Sequence, residues 1–365
     1  MTTLTAAEAT IQTDTTLAPL LRATNVVKHF AAPTPLWGKV APPVQAVHHV
    51  SLAIYPGEVV GLVGESGCGK STLGRCLLQL IRPTSGHVWF EGKDLTTLNE
   101  KQLRPLRQGM QMVFQNPYSS LNPRMSIGET LAEPFLIHQK ALRLSTKEIF
   151  PKVSALLNKV GLPTSAADRY PHEFSGGQRQ RIGIARAIAL NPSFIVADEP
   201  VSALDVSVQA QILNLLKDLQ AETNLSLLFV AHNLAVVKYL SHRVAVMYLG
   251  QIVELASVDD LFHRAAHPYT HALLAAVPDP TKRGIAPSLL EGDPPSPSSP
   301  PSGCRFHPRC AWATDRCRTE APVLRTLLSN SDNASPSSIL LPNEKRPLVA
   351  CHEAEKVLAA GGKYA

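Results

Sequence analysis

GESGCGKS, Gly64 to Ser71, constrains this chain more than any other stretch. It satisfies G-x-x-x-x-G-K-[ST], and that pattern demands a particular local geometry. Backbone N–H groups must converge on a phosphate, so glycines keep side chains out of the way. A helix must start where the loop ends, so that its amino terminus adds a favourable dipole. The flanks agree, because Val59–Val63 is a short apolar run that predicts a strand. Behind the loop, Leu73, Cys76, Leu77, Leu80 and Ile81 recur at helical spacing and predict one buried face. In such a loop Lys70 reaches the β and γ phosphates and the Ser71 hydroxyl ligates magnesium. Cys68 and Cys76 read more plainly as small residues of the loop and the helix core.

A phosphate loop of this kind follows a strand and leads into a helix. From about residue 22 to 262, short apolar runs alternate with helical patterns, the mark of a mostly parallel α/β sheet. Phe194–Ala197 and Leu225–Val230 are nearly continuous apolar runs, as expected when helices cover both faces. The first continues as FIVADE and ends in two carboxylates. Asp198 is placed to hold magnesium, directly or through water, and Glu199 to act as general base on an attacking water. His232 follows the strand LSLLFV on the ligand side of the sheet, within reach of a γ phosphate.

FSGGQRQR, Phe174 to Arg181, adds a second anion-binding helix terminus. Ser175 is a good N-cap, and Gly176 and Gly177 leave backbone N–H groups open. One nucleotide already has its cradle at Gly64–Ser71, so a second terminus suits another molecule's nucleotide.

With these stretches in view, the chain resembles an ABC transporter ATPase subunit, and in detail the second ATPase of bacterial dipeptide and oligopeptide importers. The resemblance spans about residues 22 to 352. Gly64, Glu65, Ser66, Gly67, Cys68, Gly69, Lys70, Ser71 and Thr72 look like the Walker A motif, and Gln115 like the Q-loop. Ser175, Gly176, Gly177 and Gln178 look like the signature motif, Asp198 and Glu199 like Walker B, Ala203–Asp205 like the D-loop, and His232 like the H-loop. Phe30 falls where the family stacks an aromatic ring on adenine. The peptide-importer branch shows in QNPYSSLNPRM (115–125), HPYT (267–270) and the carboxyl-terminal cysteines. One departure is Ala231-His232-Asn233, where relatives have Ser-His-Asp; it puts the orientation of His232 in question.

The resemblance implies a P-loop NTPase of ABC type, with a small antiparallel β subdomain, a helical subdomain and a small cysteine-containing carboxyl-terminal extension. It implies ATP as cofactor, with Mg2+ held by Ser71, Gln115 and Asp198. Glu199, His232 and Gln115 are the expected catalytic residues. Two ATPase subunits would close head to tail, the partner being a homologous but distinct chain. Asp205 and Ser175–Gln178 would face the nucleotide bound across that interface. Two permeases would meet the neighbourhood of Gln115–Met125, and an extracytoplasmic binding protein would deliver the solute. The chain would be peripheral on the cytoplasmic face of the inner membrane. Di- and oligopeptides are the expected solutes; similar ATPases serve glutathione, nickel and haem importers.

The expected organisation is a flexible tail at 1–21, the ATPase domain at 22–265, a Pro/Ser-rich linker at 266–303 and the cysteine region at 304–365. PPSPSSPP (294–301) cannot pack a core and reads as extended linker, and SNSDNASPSS (329–338) is a second soft segment. The amino terminus lacks an apolar core flanked by positive charge, so no secretory signal is expected. The longest apolar stretches fall far short of the ~20 residues that span a bilayer. The net charge of +6 is scattered, which fits anionic ligands or a membrane surface and does not demand nucleic acid. A competing class is an ABC ATPase that acts on DNA or ribosomes. Against it stand the absence of heptads between Lys70 and Ser175 and a single set of ATPase motifs.

GCRFHPRCAWATDRC (303–317) carries Cys304, Cys310 and Cys317 with C-x5-C-x6-C spacing, and Cys351 follows. In a reducing compartment such clusters more often bind metal or do redox work than form disulfides. Four thiolates suit iron–sulfur or zinc. Structural zinc usually draws its cysteines in C-x2–4-C pairs, and these gaps are wider. Flanking Pro/Ser segments need a staple, which a bound centre would supply. A [4Fe–4S] cluster is the expectation, and the resemblance agrees. A zinc site, with His307 or His352 as added ligands, and unliganded thiols remain the alternatives. The expected role is structural, locking the tail against the partner ATPase.

Overall fold

Apolar strands come in two sets, and the phosphate loop grows out of the larger one. The computed structural model describes residues 18–31, 42–276, 290, 292–327 and 347–360. Most of the expected 1–21 tail, part of the 266–303 linker and all of SNSDNASPSS lie outside the described residues.

The chain first forms β1 (Leu21–Phe30), β2 (Val44–Ile54), β3 (Val59–Val63), α1 (Lys70–Leu77), β4 (Ser85–Phe90) and β5 (Lys93–Asp94). A helical stretch follows: α2 (Glu100–Leu106), β6 (Met110–Val113), α3 (Pro117–Ser120), α4 (Ile127–Ile137), α5 (Gln139–Leu142) and α6 (Thr146–Lys159). Helices and strands then alternate through α7 (Gly176–Ile188), β7 (Phe194–Asp198), α8 (Val206–Thr223), β8 (Ser226–Ala231), α9 (Leu234–Leu240) and β9 (Arg243–Tyr248). β10 (Gln251–Ser257), α10 (Val258–Arg264) and α11 (Pro268–Ala275) come next. The last described elements are α12 (Asp315–Thr319), β11 (Arg325–Thr326), β12 (Leu348–Val349) and α13 (Ala354–Ala359).

The smaller sheet has the order β2-β1-β4-β5 and is antiparallel. The larger has the order β11-β12-β10-β9-β3-β8-β7-β6. Its strands β9, β3, β8, β7 and β6 run parallel. Every residue of β3, β7, β8 and β9 is buried, as strands covered on both faces must be. Because β3, β8 and β7 are neighbours in parallel, the loops that leave their carboxyl ends emerge side by side. This is the P-loop α/β fold expected, with its antiparallel sheet and helical part.

The helix after the phosphate loop is shorter than its apolar period predicts. Leu73, Cys76 and Leu77 are buried, but α1 ends at Leu77 and Gln79 takes a φ of 53°. That turn swings Leu80 out to 48% exposure, beside Phe114 and Ile137 in a surface groove.

The cysteine region is tied into the same sheet. β12 pairs with β10 through Glu254–Val349 and Leu255–Leu348, and β11 extends it. The Ala350 amide donates to the Val253 carbonyl at 2.8 Å. Within PPSPSSPP, the Pro297 carbonyl accepts the Gln45 amide of β2 at 3.0 Å. Among the described residues no helix is long and apolar enough to cross a membrane.

Candidate active site

Two glycines set the shape of the phosphate loop. Gly64 has φ 154°, and a Cβ there would meet the Met247 carbonyl oxygen at 2.1 Å. Gly69 has φ 106°, and a Cβ would meet the Ala46 carbonyl oxygen at 2.0 Å. Neither conformation nor either approach tolerates a side chain. Lys70 is buried, and its Nζ donates to the carbonyls of Gly64 at 2.8 Å and Glu65 at 2.9 Å. Cys68 and Cys76 are buried, and burial raises both thiol pKa values, in keeping with a packing role.

At the end of β7 the Ser71 hydroxyl donates to Asp198 Oδ1 at 2.8 Å. This sets a hydroxyl beside a carboxylate, a donor set that suits a hard divalent cation. Burial raises the Asp198 pKa, and the Ser71 hydrogen bond opposes that shift. Glu199 follows in the left-handed region with φ 44°, a backbone state that costs energy and clusters at functional sites. Its amide donates to the Val230 carbonyl at 3.0 Å. Its Oε2 accepts Gln115 Nε2 at 3.0 Å and lies 3.5 Å from His232 Nδ1. Two side chains from two other loops therefore converge on one carboxylate. Asn233 N-caps α9 by accepting the Ala235 amide at 2.9 Å, the same task an aspartate would perform.

Ser175 caps α7 in a reciprocal pair with Gln178, at 3.3 and 3.0 Å. Gly177 has a packing reason to be glycine, since a Cβ would meet Val208 Cγ1 of α8 at 2.3 Å. Asp205 caps α8, accepting the Val208 amide at 3.0 Å and the Ser207 hydroxyl at 2.9 Å. Those bonds hold its pKa below the usual carboxylate range. Phe30 is 38% exposed at the end of β1. Among the described residues no hydrogen bond or ion pair joins Ser175–Gln178 to the phosphate loop. Lys70, Ser71, Gln115, Asp198, Glu199 and His232 form one group, and Ser175, Gln178, Asp205 and Phe30 stand as separate exposed features.

The four carboxyl-terminal cysteines share one neighbourhood. The Cys304 amide donates to the Cys317 carbonyl at 2.8 Å. Burial, then the charges of Cys304 and Cys317, push the Cys310 thiol up to about 12. Burial, then Cys310, Cys304 and Cys317, push Cys351 to about 12. Thiols that resist ionisation chiefly because they are buried, and further because of one another, are a donor set that a cationic centre would stabilise. The side chains are not drawn in to ligand distance: among the described residues no three His, Cys, Asp or Glu are grouped to hold a metal ion. His307 Nδ1 lies 2.9 Å from the Cys304 carbonyl and His352 Nε2 3.0 Å from that of Glu320, so both histidines are engaged with backbone.

Two residues near the phosphate loop escaped the sequence reading. Tyr269 offers its hydroxyl oxygen to the Glu65 amide at 2.9 Å. Arg309 grips the Glu65 carboxylate with two nitrogens, at 2.9 and 3.0 Å. HPYT and the cysteine segment were visible as sequence marks, but nothing in their spacing points at a loop more than 200 residues away.

The family description "ABC transporter" matches residues 47–202, and "Oligopeptide/dipeptide transporter, C-terminal region" matches 253–317. The chain is 55% identical over 307 residues to the "Probable peptide ABC transporter ATP-binding protein y4tS" of Sinorhizobium fredii, covering 84% of this chain and 86% of that one. It is 47% identical over 337 residues to the oligopeptide transport ATP-binding protein AppF of Bacillus subtilis, covering 91% and 97%. Among solved structures it resembles a dimeric ATP-binding cassette in a post-hydrolysis state bound to ADP and Pi. That match has TM-score 0.57 and 28% identity, and covers 65% of this chain and 98% of the other.

Proposed function

Since this chain belongs to the ATP-binding proteins of peptide ABC transporters, we propose that it hydrolyses ATP to power a membrane importer of di- and oligopeptides. The observation that carries the chemistry is the convergence of Gln115 and His232 on Glu199, beside the Ser71–Asp198 pair. Lys70 and the loop amides hold the β and γ phosphates. Ser71, Asp198 and Gln115 would hold Mg2+, which neutralises phosphate charge. Glu199 accepts the proton of the attacking water, and Gln115 and His232 keep its carboxylate aimed. Asn233 leaves His232 in place because it caps α9 as an aspartate would.

Ser175–Gln178, a partly exposed helix terminus with no hydrogen bond to the chain's own phosphate loop among the described residues, serves the partner's nucleotide, with Phe30 stacking on adenine and Asp205 at the interface. The partner is a homologous, distinct ATPase. Leu80, Phe114 and Ile137, at 48%, 37% and 50% exposure, line an apolar groove close to Gln115. That groove takes a cytoplasmic segment of the permeases, so that the chain works at the membrane's inner face. Residues 22–265 act as the ATPase domain. Cys304, Cys310, Cys317 and Cys351 take a [4Fe–4S] cluster with a structural role, a reading supported by their shared neighbourhood. Loading would have to draw the sulfurs together.

The transporter assembled anaerobically from this chain, its partner, both permeases and the extracytoplasmic binding protein tests both points on one preparation. ATP-driven uptake of a labelled dipeptide into vesicles, brown colour and about four irons per chain are expected. Uptake of nickel, haem or glutathione with none of peptide would overturn the solute. Colourless protein with one zinc would overturn the cluster.

A further inference from the structure

We propose that Arg309 is a positioning residue for ATP binding: it neutralises and holds Glu65, so the carboxyl-terminal region completes the phosphate loop. The proposal rests on the ATPase reading above.

Arg309 ends a short turn, His307–Arg309, that begins behind Cys304 and runs into Cys310. The turn is anchored on both sides. Phe306 is 1% exposed, with its ring 5.2 Å from Tyr248 and 5.4 Å from Tyr269. Arg305 donates to the Leu249 carbonyl and to Gln45 Oε1, each at 2.6 Å. From this base the Arg309 side chain, 6% exposed, reaches Glu65 with a two-pronged fork. Burial disfavours its charge, but hydrogen bonds to Glu65 and Tyr248 more than offset that and raise its pKa.

Glu65 is the second residue of the phosphate loop, and it is held at three points. Tyr269 takes its amide, Arg309 its carboxylate, and Lys70 its carbonyl. Two of the three holders lie outside every ATPase motif. The charge matters as much as the grip. An acid in a loop that must receive a triphosphate repels it, and Arg309 cancels that charge at a partly buried site where solvent screening is reduced. Without Arg309 the carboxylate is uncompensated and free to turn towards the phosphates. ATP should then suffer more than ADP, because it carries more charge.

The test is a double-mutant cycle on the chain assembled with its partner, with Mg-ATP and Mg-ADP affinity read by calorimetry. Arg309→Met should weaken ATP about tenfold, within the usual span of coupled sites, and ADP less. Arg309→Lys keeps the charge without the fork and should recover part of the loss. Made in a Glu65→Gln background, Arg309→Met should cost less than about twofold, because no acid remains to neutralise. An equal loss in both backgrounds, or equal losses for ATP and ADP, would make Arg309 merely structural and overturn the proposal. Should Arg309→Met fail to fold, Arg309→Lys with and without Glu65→Gln reads the same coupling. A wild-type chain that binds no ATP would instead sink the ATPase reading. ATP binding by Arg309→Met at wild-type affinity would sink this inference alone.

Discussion

Asn233 is a test of how far a single side chain can depart from a pattern without consequence. The sequence pattern puts an acid after the histidine, and the acid's absence raises doubt about His232. In the structure the residue works as a helix cap, and asparagine caps as well as aspartate. Asn233→Asp should therefore change unfolding free energy by less than about 0.5 kcal/mol, and Asn233→Ala should lower it by about 1 kcal/mol, measured by denaturant titration. Equal stability of the alanine variant would show that the cap does not matter. Gly177 teaches the opposite lesson. Its pattern suggests only an open backbone amide for a partner's phosphate, yet Val208 leaves no room for a Cβ. Gly177→Asp would disturb the packing of α7 on α8 within its own chain, so it cannot isolate an effect on pairing in trans. A repeating motif reveals that glycine is required, but not which neighbour requires it.

Glu254 shows how an element can carry a charge problem that no motif announces. It lies in the middle of β10, fully buried, and accepts the amides of Ala266 at 2.7 Å and His267 at 3.1 Å at the start of α11. Burial raises its pKa from 4.5 to about 7, against those hydrogen bonds. Between these values the folded chain keeps a proton that the unfolded chain has lost, so this group's contribution falls as pH rises. Its cost is absent below pH 4.5 and complete above about 7. The stability of Glu254→Gln relative to wild type should therefore improve by about 2–3 kcal/mol between pH 4.5 and pH 8, whatever the constant offset. A flat or declining difference would contradict the assignment. Strands such as β7 and β8 were readable because burial on both faces leaves a continuous apolar run. The end of α1 was not, because the positive φ of Gln79, a residue with no turn signature, expels Leu80 from the helix. β11 and β12 are two residues each, too short for any periodicity to reveal them.

At the scale of the whole molecule, the catalytic group was legible because its members sit on motifs whose spacing fixes strand, loop and helix together. What stayed hidden is long-range: the sheet running on through β12 and β11, Arg309 on Glu65, Tyr269 on the Glu65 amide. These contacts join segments far apart in sequence, more than half the chain for the two on Glu65, and a sequence carries no local mark of them. The central claim is that Glu199, held by Gln115 and His232, is the base that lets this chain spend ATP in a head-to-tail pair. Single-turnover hydrolysis by the assembled transporter carrying Glu199→Gln tests it most directly. Mg-ATP should bind with affinity near wild type, since Lys70, Ser71 and Asp198 are untouched, and the hydrolysis rate should drop 10²- to 10⁴-fold. Hydrolysis at close to the wild-type rate would contradict the account.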